Sequence, residues 1–214
     1  MKDLFDQTCQ QITLEEGLMM LKAYALIEAQ DHKLVSTLQN IMNQSPPRRM
    51  QTPGGRWMSA QMTNCGDLGW ITDKSGYRYT REDPLTGKLW PSLPASFKLL
   101  AKSAAALAGY RQFIPDVCLI NVYQPGDKMG LHQDRDEQDF TQPIVSVSLG
   151  LPAKFQFGGT ARNDAKQQIL LSHGDVLVWG GAKRLNFHGV LPLKDGHHPL
   201  LGRKRINLTF RQAG

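Results

Sequence analysis

The chain has 214 residues, 41% of them hydrophobic and 21% charged, with a formal net charge of +6. That supplies apolar material for one domain with a substantial core, or one domain and a smaller cover, and excludes a disordered chain; the positive charge permits attraction to nucleic acid without requiring it. The sequence has no apolar run long enough for a membrane helix, and MKDLFDQTCQ lacks the apolar block of a signal peptide, so a soluble cytoplasmic protein with no membrane partner is expected.

Residues 1–50 are expected to form an N-terminal extension with a supporting helix. From Glu28 to Gln44, the apolar residues Leu34, Val35, Leu38, Ile41 and Met42 recur at helical spacing, and Pro46-Pro47 forbids continuation. Residues 51–110 read as a lid followed by a second supporting helix. The lid, QTPGGRWMSAQMTNCGDLGWITDKSGYRYTREDPLTGKLWP, is rich in glycine and turns, which suggests short strands and a mobile flap. Trp57, Met58, Met62, Trp70, Tyr77 and Tyr79 sit among Arg56, Lys74, Arg78 and Arg81. That mixture suits either the stacking of unpaired bases beside a phosphate chain or an ordinary small hydrophobic cluster. From Pro94 to Ala108, Phe97, Leu100, Ala101, Ala104 and Leu107 repeat the helical pattern, and Gly109 stands where a helix C-terminus wants it.

Residues 111–214 are expected to form the core. VCLINVY, PIVSVSLG, KFQFGG, QILLS, DVLVWGG, RLNFHGVLPL and RINLTFRQ are short strands bounded by Pro, Gly, Asp or Asn. Most lack a helix-length pattern between them, so an antiparallel sandwich or jelly roll is favoured, mainly β with flanking helices.

Within this frame LHQDRDEQD holds His132 and Asp134 two residues apart, able to share one face of an extended segment. His188, far downstream, can join them from another strand. Two histidines and one carboxylate leave positions open on an iron for a cosubstrate and dioxygen. The bland alternatives are a solvated loop pair at His132 and Asp134 and a core histidine at 188 that donates to a backbone carbonyl. His173-Gly174-Asp175 has the same spacing, and a hairpin at Gly180-Gly181 would give a rival triad of His173, Asp175 and His188. Its context, however, reads as a tight turn before VLVW. In RINLTFR, Arg205, Asn207, Thr209 and Arg211 alternate with Ile206, Leu208 and Phe210. With Asn121 and Tyr123, an inward polar face would make a buried receptor for a dicarboxylate. Cys9, Cys65 and Cys118 are odd in number and lack any C-x-x-C pair, so reduced packing thiols are expected.

The H-x-D at 132–134, the histidine at 188 and R-x-N-x-T-x-R at 205–211 resemble the AlkB family of iron(II)- and 2-oxoglutarate-dependent nucleic-acid dealkylases. TPGG, MTNCG, CLINVYQPG, LHQDRDE, IVSVSLGLPAKFQFGG, HGDVLVWGG and NLTFRQAG extend the resemblance to its bacterial members over residues 50–214. The resemblance implies a double-stranded β-helix, a form of jelly roll, with a nucleotide-recognition lid. It implies that His132, Asp134 and His188 ligate iron(II). Arg205 would pair with the distal carboxylate of 2-oxoglutarate, assisted by Asn121 and Tyr123, while Asn207 and Arg211 hold the chelating end. Trp70 and Tyr77 match lid residues that contact substrate, Tyr79 and Arg162 lie beside the nucleic acid, and Asp136 reads an exocyclic amine.

The implied activity is oxidative dealkylation of bases of the 1-methyladenine and 3-methylcytosine type. It consumes dioxygen and releases formaldehyde, succinate and carbon dioxide. The implied partner is single-stranded DNA, with double-stranded DNA and RNA as further candidates, and a monomer is expected. Arg78, and Met129-Gly130 before Leu131, depart from the family pattern. Two other classes fit parts of the sequence: an oxygenase of the same chemistry acting on protein or a small molecule, and a noncatalytic nucleic-acid binder.

Overall fold

The computed structural model describes residues 10–29 and 31–214, which leaves Cys9 outside the described residues. Two strands that the sequence pattern does not announce, β1 (Gln10–Glu15) and β2 (Leu18–Lys22), come first. A 3-10 turn at Tyr24–Ala29 precedes helix α1 (Asp31–Gln44), so the expected start at Glu28 falls in the turn. The lid region supplies β3 (Gln61–Gly66), β4 (Gly69–Asp73) and β5 (Gly76–Thr80), and α2 (Ala95–Leu107) follows. Pro94 stands at its N-cap in extended conformation, and Gly109 just beyond its end has φ +95°. The remaining strands are β6 (Val117–Tyr123), β7 (Met129–His132), β8 (Ile144–Gly150), β9 (Ala153–Phe157), β10 (Gln167–Leu171), β11 (Val176–Trp179), β12 (His188–Val190) and β13 (Arg205–Arg211).

A seven-stranded sheet runs β1-β2-β11-β8-β13-β6-β3, a four-stranded sheet runs β10-β9-β12-β7, and β4-β5 form a separate hairpin. Among the described residues these strands pair antiparallel throughout. The architecture is a jelly roll. The expected strand from Arg184 to Leu193 contracts to β12, because residues 181–186 coil through successive turn hydrogen bonds before it.

Strands β6, β8, β11 and β13 of the larger sheet are buried on both faces. Ile120, Val122, Ile206, Leu208 and Phe210 pack outward against Leu34, Leu38 and Ile41 of α1 and Phe97, Ala101 and Ala104 of α2. Strand alternation then turns Arg205, Asn207, Thr209 and Arg211 toward the smaller sheet. A second apolar cluster, including Phe155, Phe157, Trp179 and Val190, seals the space between the sheets. Cys65 and Cys118 lie opposite each other on β3 and β6 as buried free thiols. Among the described residues no helix is long and apolar enough to cross a membrane.

The lid hairpin is seated by Trp90, which is 5% exposed and donates from Nε1 to the Thr80 carbonyl at 3.0 Å. A Cβ at Gly69 would lie 2.4 Å from the Trp90 ring. Gly69→Ala is therefore expected to lower stability by about 1–3 kcal/mol through overpacking, read as a lower denaturant midpoint.

Candidate active site

His132 ends β7 and His188 begins β12, and pairing of these strands sets the two residues opposite each other. Their ring centroids are 4.4 Å apart. His132 Nδ1 lies 2.9 Å from the Gly130 carbonyl oxygen, and His188 Nδ1 lies 2.9 Å from that of Asn186. Only a protonated Nδ1 can make those bonds, so each neutral ring keeps the Nε2 lone pair for a ligand. Both Nε2 atoms face Asp134, at 3.7 Å from Oδ1 and Oδ2 respectively. One ligand atom from each residue lies within 4.8 Å of the others. His188 thus meets the core-histidine description at one nitrogen and the metal-ligand description at the other.

The protonation states suit a metal. Burial alone would raise the Asp134 carboxyl, but Arg211, then His188 and His132, hold it well below the usual carboxylate range. Burial pushes the His188 imidazole down to about 4. At neutral pH the site therefore offers an ionised carboxylate and a neutral imidazole, the forms that ligate a cation.

Arg211 donates to Asp134 Oδ2 from Nη2 at 2.8 Å and from Nε at 3.2 Å. Burial opposes the Arg211 charge, yet Asp134, Tyr79 and Glu137 together raise its pKa above the ordinary value. The same Nε lies 3.2 Å from Glu137 Oε1. Glu137 also accepts from Arg184 Nη2 at 2.9 Å and from the Tyr79 hydroxyl at 2.5 Å. Arg184 completes a clamp by donating to the carbonyls of Asp134 at 2.6 Å and Gln142 at 2.9 Å. Sequence reasoning misses Glu137 and Arg184. No spacing rule selects a glutamate in an acidic run or an arginine before LNFH, although both prove buried.

The floor holds buried donors that lack acceptors. Arg205 is 1% exposed and donates from Nη2 to Ser148 Oγ at 3.0 Å, while its Nε and Nη1 have no hydrogen-bond partner among the described residues. Arg211 Nη1 and Asn121 Oδ1 are also unpartnered. Burial pulls the Arg205 guanidinium down to about 10 and pushes the opposing Tyr123 phenol up to about 12. Buried donors without acceptors are costly, and a small dicarboxylate would satisfy them. Asn207 is committed locally, donating to Ser146 Oγ at 2.7 Å and the Val147 carbonyl at 3.1 Å and accepting from Thr209 at 2.8 Å. It braces the floor.

A cavity of about 670 Å³ joins these groups to the lid. The triad, Asn121, Tyr123, Asn207 and Arg211 line one part; Trp70, Tyr77, Asp136 and Arg162 line another. Trp70 donates from Nε1 to Asp136 Oδ2 at 2.8 Å and stacks on Tyr77 with centroids 5.7 Å apart. Arg162 lies over Phe187 at 5.2 Å from the ring centroid. Tyr79 and Arg205 fall outside the lining: Tyr79 turns to Glu137, and Arg205 occupies the polar face of β13 beside Tyr123. Arg78 pairs with Asp73 across the hairpin in a fork of 2.7 and 2.9 Å. Met129 and Gly130 both line the cavity.

The rival H-x-D is a turn. Asp175 accepts from Ser172 N at 2.8 Å, from Ala23 N at 3.0 Å and from Lys22 Nζ. His173 Nδ1 accepts from Gly150 N at 2.9 Å.

The 2OG-Fe(II) oxygenase superfamily matches residues 17–211. The chain is 55% identical to the alpha-ketoglutarate-dependent dioxygenase AlkB of Salmonella typhimurium over 214 residues, covering 100% of this chain and 98% of that protein. It is 33% identical to the DNA N(6)-methyladenine demethylase ALKBH1C of Arabidopsis thaliana over 174 residues, 69% of this chain and 38% of that one. The solved structure of OsALKBH1 matches with TM-score 0.80 and 31% identity, covering 95% of this chain and 100% of that one.

In a cobalt(II) titration followed by visible absorption, His188→Ala is expected to weaken binding by about a hundredfold or more. Asp175→Ala should leave affinity within about twofold of wild type while lowering stability by about 1–3 kcal/mol, because it strands buried donors of the β2 and β11 turns.

Proposed function

Because this chain belongs to the AlkB branch of the 2OG-Fe(II) oxygenase superfamily, we propose that it removes N-alkyl groups oxidatively from nucleic-acid bases. What carries this reading is one cavity shared by the His132, Asp134 and His188 set and by the Trp70, Tyr77 and Asp136 wall. Iron(II), 2-oxoglutarate and dioxygen, when bound, supply the oxidation that hydroxylates the N-alkyl carbon and yields succinate and carbon dioxide. For an N-methyl group the N–C bond of the resulting hemiaminal then breaks, the carbon leaving as formaldehyde and the nitrogen regaining its proton or lone pair in the bare base.

The protein's part is ligation, orientation and exclusion of water. His132, Asp134 and His188 would hold the metal, and the free Nε2 lone pairs support that role. Arg211 would steady Asp134 and offer its unpartnered Nη1 to the chelating end of 2-oxoglutarate. Arg205, with Tyr123 and Asn121, would take the distal carboxylate through its vacant donors. Asn207 would support the chelating end by fixing Ser146 and Thr209. Trp70, backed by Tyr77, and His132 would present aromatic faces to the extruded base, and Asp136 would accept from its amine while Trp70 holds one carboxylate oxygen. Arg162 would meet a phosphate. Tyr79 would act from behind, through Glu137.

The protein would act as a monomer. A base must leave its stack to enter the cavity, which favours single-stranded DNA over a duplex and leaves RNA as a further substrate. The cytoplasm suits the reduced thiols Cys65 and Cys118. Functionally, residues 111–214 would be the oxygenase core and 51–110 the lid with its supporting helix. Residues 1–50 would form the extension, whose β1 and β2 join the larger sheet.

Protein loaded anaerobically with iron(II) and 2-oxoglutarate, mixed with a methylated single-stranded oligonucleotide and exposed to oxygen, should release formaldehyde and succinate together. Asp134→Ala should lower both by more than about a hundredfold, beyond the effect of groups that only orient a ligand. Arg205→Ala should raise KM for 2-oxoglutarate by about tenfold or more, through loss of charge-assisted hydrogen bonds. Folded, iron-loaded wild type that binds the oligonucleotide and forms neither product would overturn the reading.

A further inference from the structure

Trp57 is 66% exposed, yet the backbone beneath it is fixed. Thr52 N donates to the Arg56 carbonyl at 2.8 Å, Gly55 N to that of Thr52 at 2.8 Å, and Met58 N to that of Met50 at 2.8 Å. Gln51 and Trp57 form a β-bridge that closes this loop. The Gln51 carbonyl in turn accepts from Thr72 Oγ1 at 3.0 Å, which ties the loop to β4 two residues beyond Trp70. The indole is thus held in water by a hydrogen-bonded hairpin.

Its position relative to the site is set by its neighbours. Arg56 and Met58 both line the cavity that holds the triad, so Trp57 stands between two wall residues, on the rim. Arg56, Arg135 and Arg162 contribute cations to the same wall, which suits a polyanionic ligand passing over it. An exposed indole face stacks any base regardless of identity, and a strand that inserts one base into the cavity must carry the next base across the rim.

We infer that Trp57 is the platform of a second base subsite, stacking the nucleobase adjacent to the extruded one. The inference rests on the functional reading above and adds a residue that sets affinity for a strand without touching the reacting base. No chemical step passes through it.

The test is a thermodynamic cycle on a pentanucleotide with a central N1-methyladenine, alongside versions with an abasic site immediately 5′ or 3′ of the lesion. Trp57→Ala should raise KM for the intact pentanucleotide by about fivefold or more, with kcat within about twofold. Trp57→Phe should retain most of the affinity, since a phenyl ring still stacks. One of the two abasic oligonucleotides should raise the wild-type KM by a similar factor, and with it Trp57→Ala should cost nothing further. Equal loss on both abasic oligonucleotides, no loss on the intact one, or the same loss on free 1-methyladenosine would overturn the subsite and leave the indole to another role. Absence of turnover by wild type on every oligonucleotide would instead overturn the functional reading, and this inference with it.

Discussion

The site depends on one buried ion pair, Arg211 with Asp134, at 2.8 Å. A buried carboxylate is costly unless its charge is met, and Asp134 is 7% exposed. Arg211 meets it and is itself shared with Glu137, which Arg184 neutralises from the other side. Two carboxylates and two guanidinium groups therefore form a closed network in which each charge has an opposite neighbour. The remaining cation on the polar face of β13, Arg205, has donors to spare. A divalent cation between the histidines and a dianion across the guanidinium groups are electrostatically complementary additions to such a network. Neither forces a charge already present to be abandoned.

The sheets make this network possible. A strand buried on both faces is usually apolar throughout. β13 and β6 depart from that rule on one face alone, and the departure is affordable because a second sheet stands opposite and encloses a polar space. Pairing of β12 with β7 then brings His188 beside His132 from the opposing layer. The hairpin β4-β5 lies over the opening, seated through Trp90 and joined to the core by Trp70 on Asp136 and Tyr79 on Glu137. Lid and metal loop are thereby linked by two side-chain hydrogen bonds, one at the mouth and one behind the wall.

Much of the architecture was legible because its signals are local. Alternation in VCLINVY and RINLTFR, proline and glycine stops around α2, and turn residues between strands act over a few positions. β1 and β2 escaped because LMMLK takes strand character from pairing with β11, distant in the chain, and QQITLE from pairing with β2 in turn. The segment RLNFHGVLPL read as one strand, yet a run of turns at residues 181–186 shortened it. Tyr79 offers the same lesson within the site. The resemblance set it beside the nucleic acid, and hairpin geometry sends the Tyr77 ring to the cavity and the Tyr79 hydroxyl to a buried glutamate.

By itself the sequence determined the residue types, the strand periodicity and the resemblance that picked His132, Asp134 and His188 over His173 and Asp175. The first two follow from local chemistry and the third from motifs matched along the chain, since spacing alone left the two H-x-D segments equal; a one-dimensional string preserves all of these. Tertiary structure alone decided that Glu137 and Arg184 complete the charge network, that Asn207 is spent on the floor, and that Arg205 keeps vacant donors. Each of these is a statement about which groups satisfy one another's hydrogen bonds and charges across elements distant in the chain. That satisfaction is settled only when folding has removed water from all of them at once.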